Sequence, residues 1–218
     1  MSAPRPTQTE LDALLAAHGG ELTEVETEEL YLLARRPSRD ETAAYLNGIQ
    51  DSEQGPTACN NLLCACVVWP AVGVVQAAID ALPGLNTRLA PPVGDEAYPD
   101  DGAFIAPGDA IPPEYAEAAA AARLKGAVAF MVADGRLLGF KGPGRFDFDA
   151  CTVAIRKGSH YEGPEALALR TVVEPAKDVF REINKARPGV ALLAGLGVYG
   201  LGQHKGAVRS GKLRASSK

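Results

Sequence analysis

The chain switches repeatedly between a two-residue and a helical spacing of apolar positions, and those switches outline its elements. From Glu21 to Arg36, Leu22, Val25 and Tyr31 to Leu33 flank the charged Glu26-Thr27-Glu28-Glu29. That pattern predicts a β-hairpin, although no Asn-Gly or Asp-Gly turn marks it. Ser38 and Glu41 follow at capping-box spacing, each side chain able to satisfy an amide left free in a first helical turn. A helix through about Leu46 is expected there. A second helix is expected from about Thr57 to Val67, and Pro70 restarts a third. In the third, Val74, Val75, Ala78, Ile79 and Leu82 fall on one face that should be buried, and Pro83-Gly84 ends it.

Much of this pattern recurs. Val67-Val68-Trp69-Pro70-Ala71 returns 105 residues later as Val172-Val173-Glu174-Pro175-Ala176. At the same offset Leu32-Leu33 meets Leu137-Leu138, Leu62 meets Leu167, Val74 meets Val179, and Pro83-Gly84-Leu85 meets Pro188-Gly189-Val190. Gly55-Pro56 and Gly163-Pro164 agree with a three-residue shift. Anchors in one order at one offset indicate two divergent copies of a module, at about residues 18–90 and 123–200. The second hairpin is the clearer: Ala127 to Val132, the Asp134-Gly135 turn signal, then Arg136 to Lys141. Its third helix should bury Val179, Phe180 and Ile183.

Between the copies, Pro91 to Pro113 holds six prolines, five acids and no basic residue, which predicts an extended, solvated linker. Glu114 to Lys125 then reads as a short alanine-rich helix, with acids in its first turn and Arg123 and Lys125 in its last. The expected fold is α+β: two related modules, each a small β-hairpin sheet packed with helices, joined by an acidic proline-rich linker. The expected organisation is a first module with an N-terminal extension over 1–90, linker and start of a spacer helix over 91–122, a second module over 123–202, and a basic C-terminal arm over 203–218.

Composition narrows the function classes. Of 218 residues 46% are apolar and 22% charged, as in globular chains, which excludes an intrinsically disordered chain. The net charge of −5 argues against capture of nucleic acid by the whole protein. With 23 glycines and 16 prolines the elements must be short, and with six Phe, six Tyr and one Trp the core must be largely aliphatic. The uncharged stretch Gln54 to Ile79 is interrupted by Asn60, Asn61, Pro70 and Gln76. Its apolar part, Leu62 to Val75, is shorter than the roughly 20 residues a membrane span needs, so two buried helical pieces are expected. Met1-Ser2-Ala3-Pro4-Arg5-Pro6 lacks the apolar run of a secretory signal. Cys59, Cys64, Cys66 and Cys151 are therefore read as buried free thiols. A disulfide framework suits exported chains, and a zinc site lacks both the usual spacing and a nearby histidine, since His18, His160 and His204 are scattered. These features point to the cytoplasm.

Candidate chemistry is sparse. Gly195-Leu196-Gly197-Val198-Tyr199-Gly200 matches a dinucleotide-binding pattern, but no acid follows it and no βαβ unit surrounds it, so a glycine-rich strand or turn is expected. Asp147 and Asp149 would share one face of a strand and could hold a metal; a solvated loop beside Gly142-Pro143-Gly144 is the favoured reading. Ser159-His160 reads as a surface loop without a nucleophile motif. No catalytic, cofactor or metal residue is assigned, and a small-molecule or metal-dependent enzyme is kept only as the alternative from another class. Seven Lys or Arg and no acid follow Glu182, whereas residues 1–182 hold 15 Lys or Arg against 27 acids. The basic residues Lys205, Arg209, Lys212, Arg214 and Lys218 are the candidate partner-binding residues, reaching an acidic surface on a neighbouring subunit or partner; the alternative is a solubilising tail.

Leu32 to Leu85, with Arg35-Arg36-Pro37-Ser38-Arg39-Asp40-Glu41 and Cys66-Val67-Val68-Trp69-Pro70, resembles the tail assembly chaperones of tailed bacteriophages and the related baseplate-assembly proteins. The second copy departs from it, with Gly142-Pro143-Gly144-Arg145 at the helix start and Glu174 in place of Trp69. The resemblance implies a non-enzymatic protein that binds phage tail or baseplate subunits, or itself, and covers apolar or strand-edge surface on them. It would act in the host bacterial cytoplasm during assembly. The duplication and the basic arm also suit a permanent structural component of the virion.

Overall fold

The computed structural model describes residues 5–203. Its first helix, α1 (Gln8–Ala17), starts at a Thr7–Glu10 capping box. The first module follows as β1 (Thr23–Glu26), β2 (Tyr31–Ala34), α2 (Arg39–Ile49), α3 (Gly55–Cys66), β3 (Val67–Trp69), α4 (Val72–Ala81) and α5 (Leu85–Asp95). Then come β4 (Ala103–Ile105), a 3₁₀ turn over Pro113–Tyr115 and α6 (Ala116–Leu124). The second module repeats the first element for element: β5 (Ala129–Ala133), β6 (Arg136–Phe140), α7 (Arg145–Arg156), α8 (Glu162–Thr171), β7 (Val172–Glu174), α9 (Lys177–Ala186) and α10 (Gly189–Gly202). The chain is α+β, with two small antiparallel sheets ordered β1-β2-β3 and β4-β5-β6-β7.

Local chemistry explains the elements that sequence anticipated. Ser38 and Glu41 form the expected reciprocal cap of α2. Asp134 and Gly135, both at positive φ, make the two-residue turn between β5 and β6, whose backbone twist matches that of the strands. Val67 and Val172 each open the third strand of their module, and each sheet shifts register on the neighbouring strand, at Leu33/Ala34 and at Gly139/Phe140. These pairings set the repeat at 106 residues through the hairpin and first helix, so Leu32 corresponds to Leu138 and not to Leu137. From α3 and α8 onward the offset is 105.

Several expectations are corrected. Pro91 to Pro113 is not an extended linker, and the boundary at residue 90 cuts a helix. Pro91 and Pro92 lie inside α5, where each removes a helical hydrogen bond at about 3 kcal/mol. Fully buried Leu85, Leu89 and Val93, each worth about 1.5–3 kcal/mol, hold the helix against the first core. Residues 103–105 further on are β4, which extends the second sheet. The Leu62–Val75 stretch is not two helical pieces alone, because β3 separates them. Gly195–Gly200 is the middle of α10, neither strand nor turn, and Asp147 and Asp149 sit in the first turns of α7, not in a loop. Only Val75 of the predicted α4 face is fully buried; Ala78 and Ile79 pack at its edge, while Val74 and Leu82 face outward. Val179 is likewise exposed beside buried Phe180.

The modules dock directly, and they do so one-sidedly. Arg39 Nε on α2 donates to Glu165 Oε1 on α8 at 2.8 Å, and a second guanidinium nitrogen reaches Oε2. Asn47 Nδ2 donates to Glu162 at 3.0 Å while its Oδ1 accepts from the Tyr161 amide at 3.1 Å. Between these, Ala43 and Leu46 pack on Tyr161 and Leu192. Arg39, Ala43 and Asn47 form one stripe along α2. The corresponding stripe on α7 is Arg145, Asp149 and Val153, and all three are exposed.

Candidate functional site

The helix pair α2–α3 encloses a groove of about 490 Å³ on the surface of the first module. Its floor is small or apolar, with Ala44, Tyr45, Ala58 and Leu62, and its rim carries Asp40, Glu41 and Glu53. The width follows from residue size. Gly48 lies so close to Ala58 that a side chain there would meet its Cβ, so the helices touch at one end, and the small Ala65 leaves the other end open. The same groove exists between α7 and α8, but it measures about 190 Å³. There Arg170 stands at the position of Ala65 and pairs with Asp147, the counterpart of Glu41, at 3.4 Å. The second copy of the groove is thus narrowed to less than half the volume of the first.

Electrostatics keep Glu41 on the groove ionised. Arg35 grips Glu41 through two hydrogen bonds of 3.0 and 2.7 Å and also donates to the Ala65 carbonyl at 2.9 Å. With the Ser38 amide donating as well, at 2.7 Å, these bonds hold the Glu41 carboxyl down at about 2 against the desolvation that would raise it. Burial pushes the Cys66 thiol behind it up to about 12, helped by the charge of Glu41, and burial pushes the Tyr45 phenol up to about 12. The thiol is therefore protonated at neutral pH and inert. The groove offers acids, amides and apolar floor, a lining that suits a peptide surface carrying cations. It shows no nucleophile paired with a base.

The other sequence candidates are dispersed. Asp147 is held by Arg170 and Asp149 lies 3.6 Å from Arg145, so the two carboxylates do not converge. Cys59, Cys66 and Cys151 are buried free thiols and Cys64 is half-buried. Among the described residues no group of three His, Cys, Asp or Glu side chains could hold a metal, and no helix is long and apolar enough to cross a membrane. The glycines of α10 serve packing: a Cβ at Gly195 would fall within 2.8 Å of Pro164 Cα, and one at Gly197 or Gly202 would enter the ring of Phe104 or Phe148. Lys205, Arg209, Lys212, Arg214 and Lys218 lie outside the described residues.

Two features escaped the sequence reading. The groove itself could have been suspected only by aligning Ala65 with Arg170 once the repeat was known. The second is a contrast between equivalent helices. α9 covers itself with Lys177, Asp178, Arg181 and Glu182, including an Arg181–Asp178 ion pair at 2.6 Å, whereas α4 has Val72, Gly73 and Ala77 at three of those positions and is followed by the exposed Leu82; Val74 and its counterpart Val179 are exposed alike. Comparison with protein-family models, with curated proteins and with solved structures finds no match.

Proposed function

We propose that this chain is a non-enzymatic binding protein that assembles with other protein subunits, in the setting of a bacteriophage tail or baseplate. The observation that carries the reading is the α2–α3 groove, kept wide by Ala65 where the second module narrows its own with Arg170. A duplicated module needs no such difference for stability, since both cores are filled to the same pattern. The outward apolar face of α4 adds a second surface that gains from being covered. The phage setting rests on the resemblance of Leu32 to Leu85 to tail and baseplate assembly proteins. In that setting the chain shields partner surface until the partner meets its final mate, or stays bound in the particle.

Mass spectrometry of purified particles separates these outcomes. Stoichiometric presence identifies a permanent component, whereas absence from particles together with a complex in producing cells identifies a chaperone. A photo-crosslinker at Asn61 on the groove should yield adducts with tail or baseplate subunits. The reading is wrong if no adduct forms with a structural subunit or with a second copy of this chain.

A further inference from the structure

The intrachain docking uses α2 of the first module and α8 of the second, and leaves their counterparts free. A one-sided contact of this kind has two different unused faces, and different faces join copies head to tail. At the outer end of the second module, α7 begins with Arg145 and Phe146, whose side chains are 89% and 88% exposed. A depression lined by Arg145, Phe148, Leu201 and Gly202 ties this helix start to the end of α10. From there the chain continues past Gln203 with Lys205, Arg209, Lys212, Arg214 and Lys218 and no acid. This helix start therefore presents a bare aromatic ring beside Arg145, and the sequence that follows α10 is basic. On the first module, the α2–α3 groove combines an apolar floor with an acidic rim on which Arg35 holds Glu41 and Arg39 holds Asp40, while Glu53 has no ion pair among the described residues.

We propose that the occupant of the groove is the α7 start of a second copy of this chain, with Phe146 on the floor and Arg145, followed by the basic sequence after Gln203, against the rim at Glu53. The proposal rests on the reading of the groove as a protein-binding site and names the partner. Size and charge both fit: the groove admits one ring with the stem of a neighbouring cation, and Glu53 offers that cation a carboxylate. The second module's own groove is the poorer host, because it is narrowed to about 190 Å³ and Arg170 brings the wrong sign. Association is thus directional, and its strength should fall as salt screens the rim.

Sedimentation velocity on the full chain over a concentration series tests this. The wild type should self-associate at low salt and less at high salt. Phe146→Asp and Ala65→Arg should each weaken association by about tenfold or more. Both changes are at exposed positions, and Arg170 shows that the second fits the fold. Glu53→Lys at the rim repeats the groove arm without touching the core. The decisive mixture combines Phe146→Asp with Ala65→Arg. Each retains the face the other lacks, so together they should form a one-to-one dimer that neither forms alone. A wild type that stays monomeric, or a mixture that does, overturns the proposal. The crosslinking at Asn61 reads other subunits and would still stand, so failure here is distinguishable from failure of the broader reading.

Discussion

Gly195→Ala removes no contact, adds one methyl group, and should be among the most damaging small substitutions in the chain. The new Cβ would lie 2.8 Å from Pro164 Cα and nearer still to the Pro164 carbonyl, against 3.4 Å for an ordinary contact. Those are backbone atoms and cannot rotate away, so α10 and α8 must part by about 1 Å, which overpacked cores resist at roughly 1–3 kcal/mol or more. Parting them also loosens Leu167, Val190, Ala194 and Val198, all fully buried in the second core. A gross cost of about 3–5 kcal/mol is offset by about 1 kcal/mol of improved helix propensity, leaving a net loss of about 2–4 kcal/mol. For a chain of this length that lowers Tm by about 5–15 °C. Gly200, on the same helix, is the control: a Cβ there meets nothing within 4 Å, so Gly200→Ala should gain up to about 1 kcal/mol. Urea titrations and thermal melts of both variants measure the pair. A Gly195→Ala protein as stable as wild type would refute the packing account of these glycines and reopen a ligand-binding one.

Two further outcomes follow from the ion pairs. Arg39→Ala leaves the buried Glu165 carboxylate with only Asn184 Nδ2, at 2.8 Å, and should cost about 2–3 kcal/mol, at the low end for a broken buried pair because Arg39 is partly exposed; a loss below about 0.5 kcal/mol in urea titration would contradict it. Glu41 is held below its ordinary range in the folded state, so its contribution is present above about pH 4.5 and is lost as pH falls toward about 2. Allowing for solvent screening, Glu41→Gln should cost about 1–2 kcal/mol at neutral pH and little below about pH 2, read as a difference between the two acid-denaturation curves.

Sequence by itself determined what depends on neighbours within a few residues and on repetition. Ser38 and Glu41 cap α2, Asp134-Gly135 turns the second hairpin, and Gly126 follows α6, because each interaction closes within a single turn of chain. Val67 matching Val172, and Pro83-Gly84 matching Pro188-Gly189, revealed two modules because both copies solve the same packing problem in the same order. Tertiary structure decided what burial overrides. Pro91 and Pro92 break helices in isolation, yet α5 continues through them because Leu89 and Val93 must reach the core. Gly195 to Gly200 reads as a strand or turn, yet it lies within α10, and Gly195 and Gly197 are glycine because the space against Pro164 and Phe104 admits no side chain. Val74 and Leu82 fit a buried helical face by spacing, but spacing cannot say how far α4 sits from the core. The groove belongs entirely to this second class. Its residues come from two helices, and how wide it stands turns on one side chain, Ala65 or Arg170, meeting a carboxylate some two dozen residues earlier in the chain, a proximity that only the folded helix pair creates.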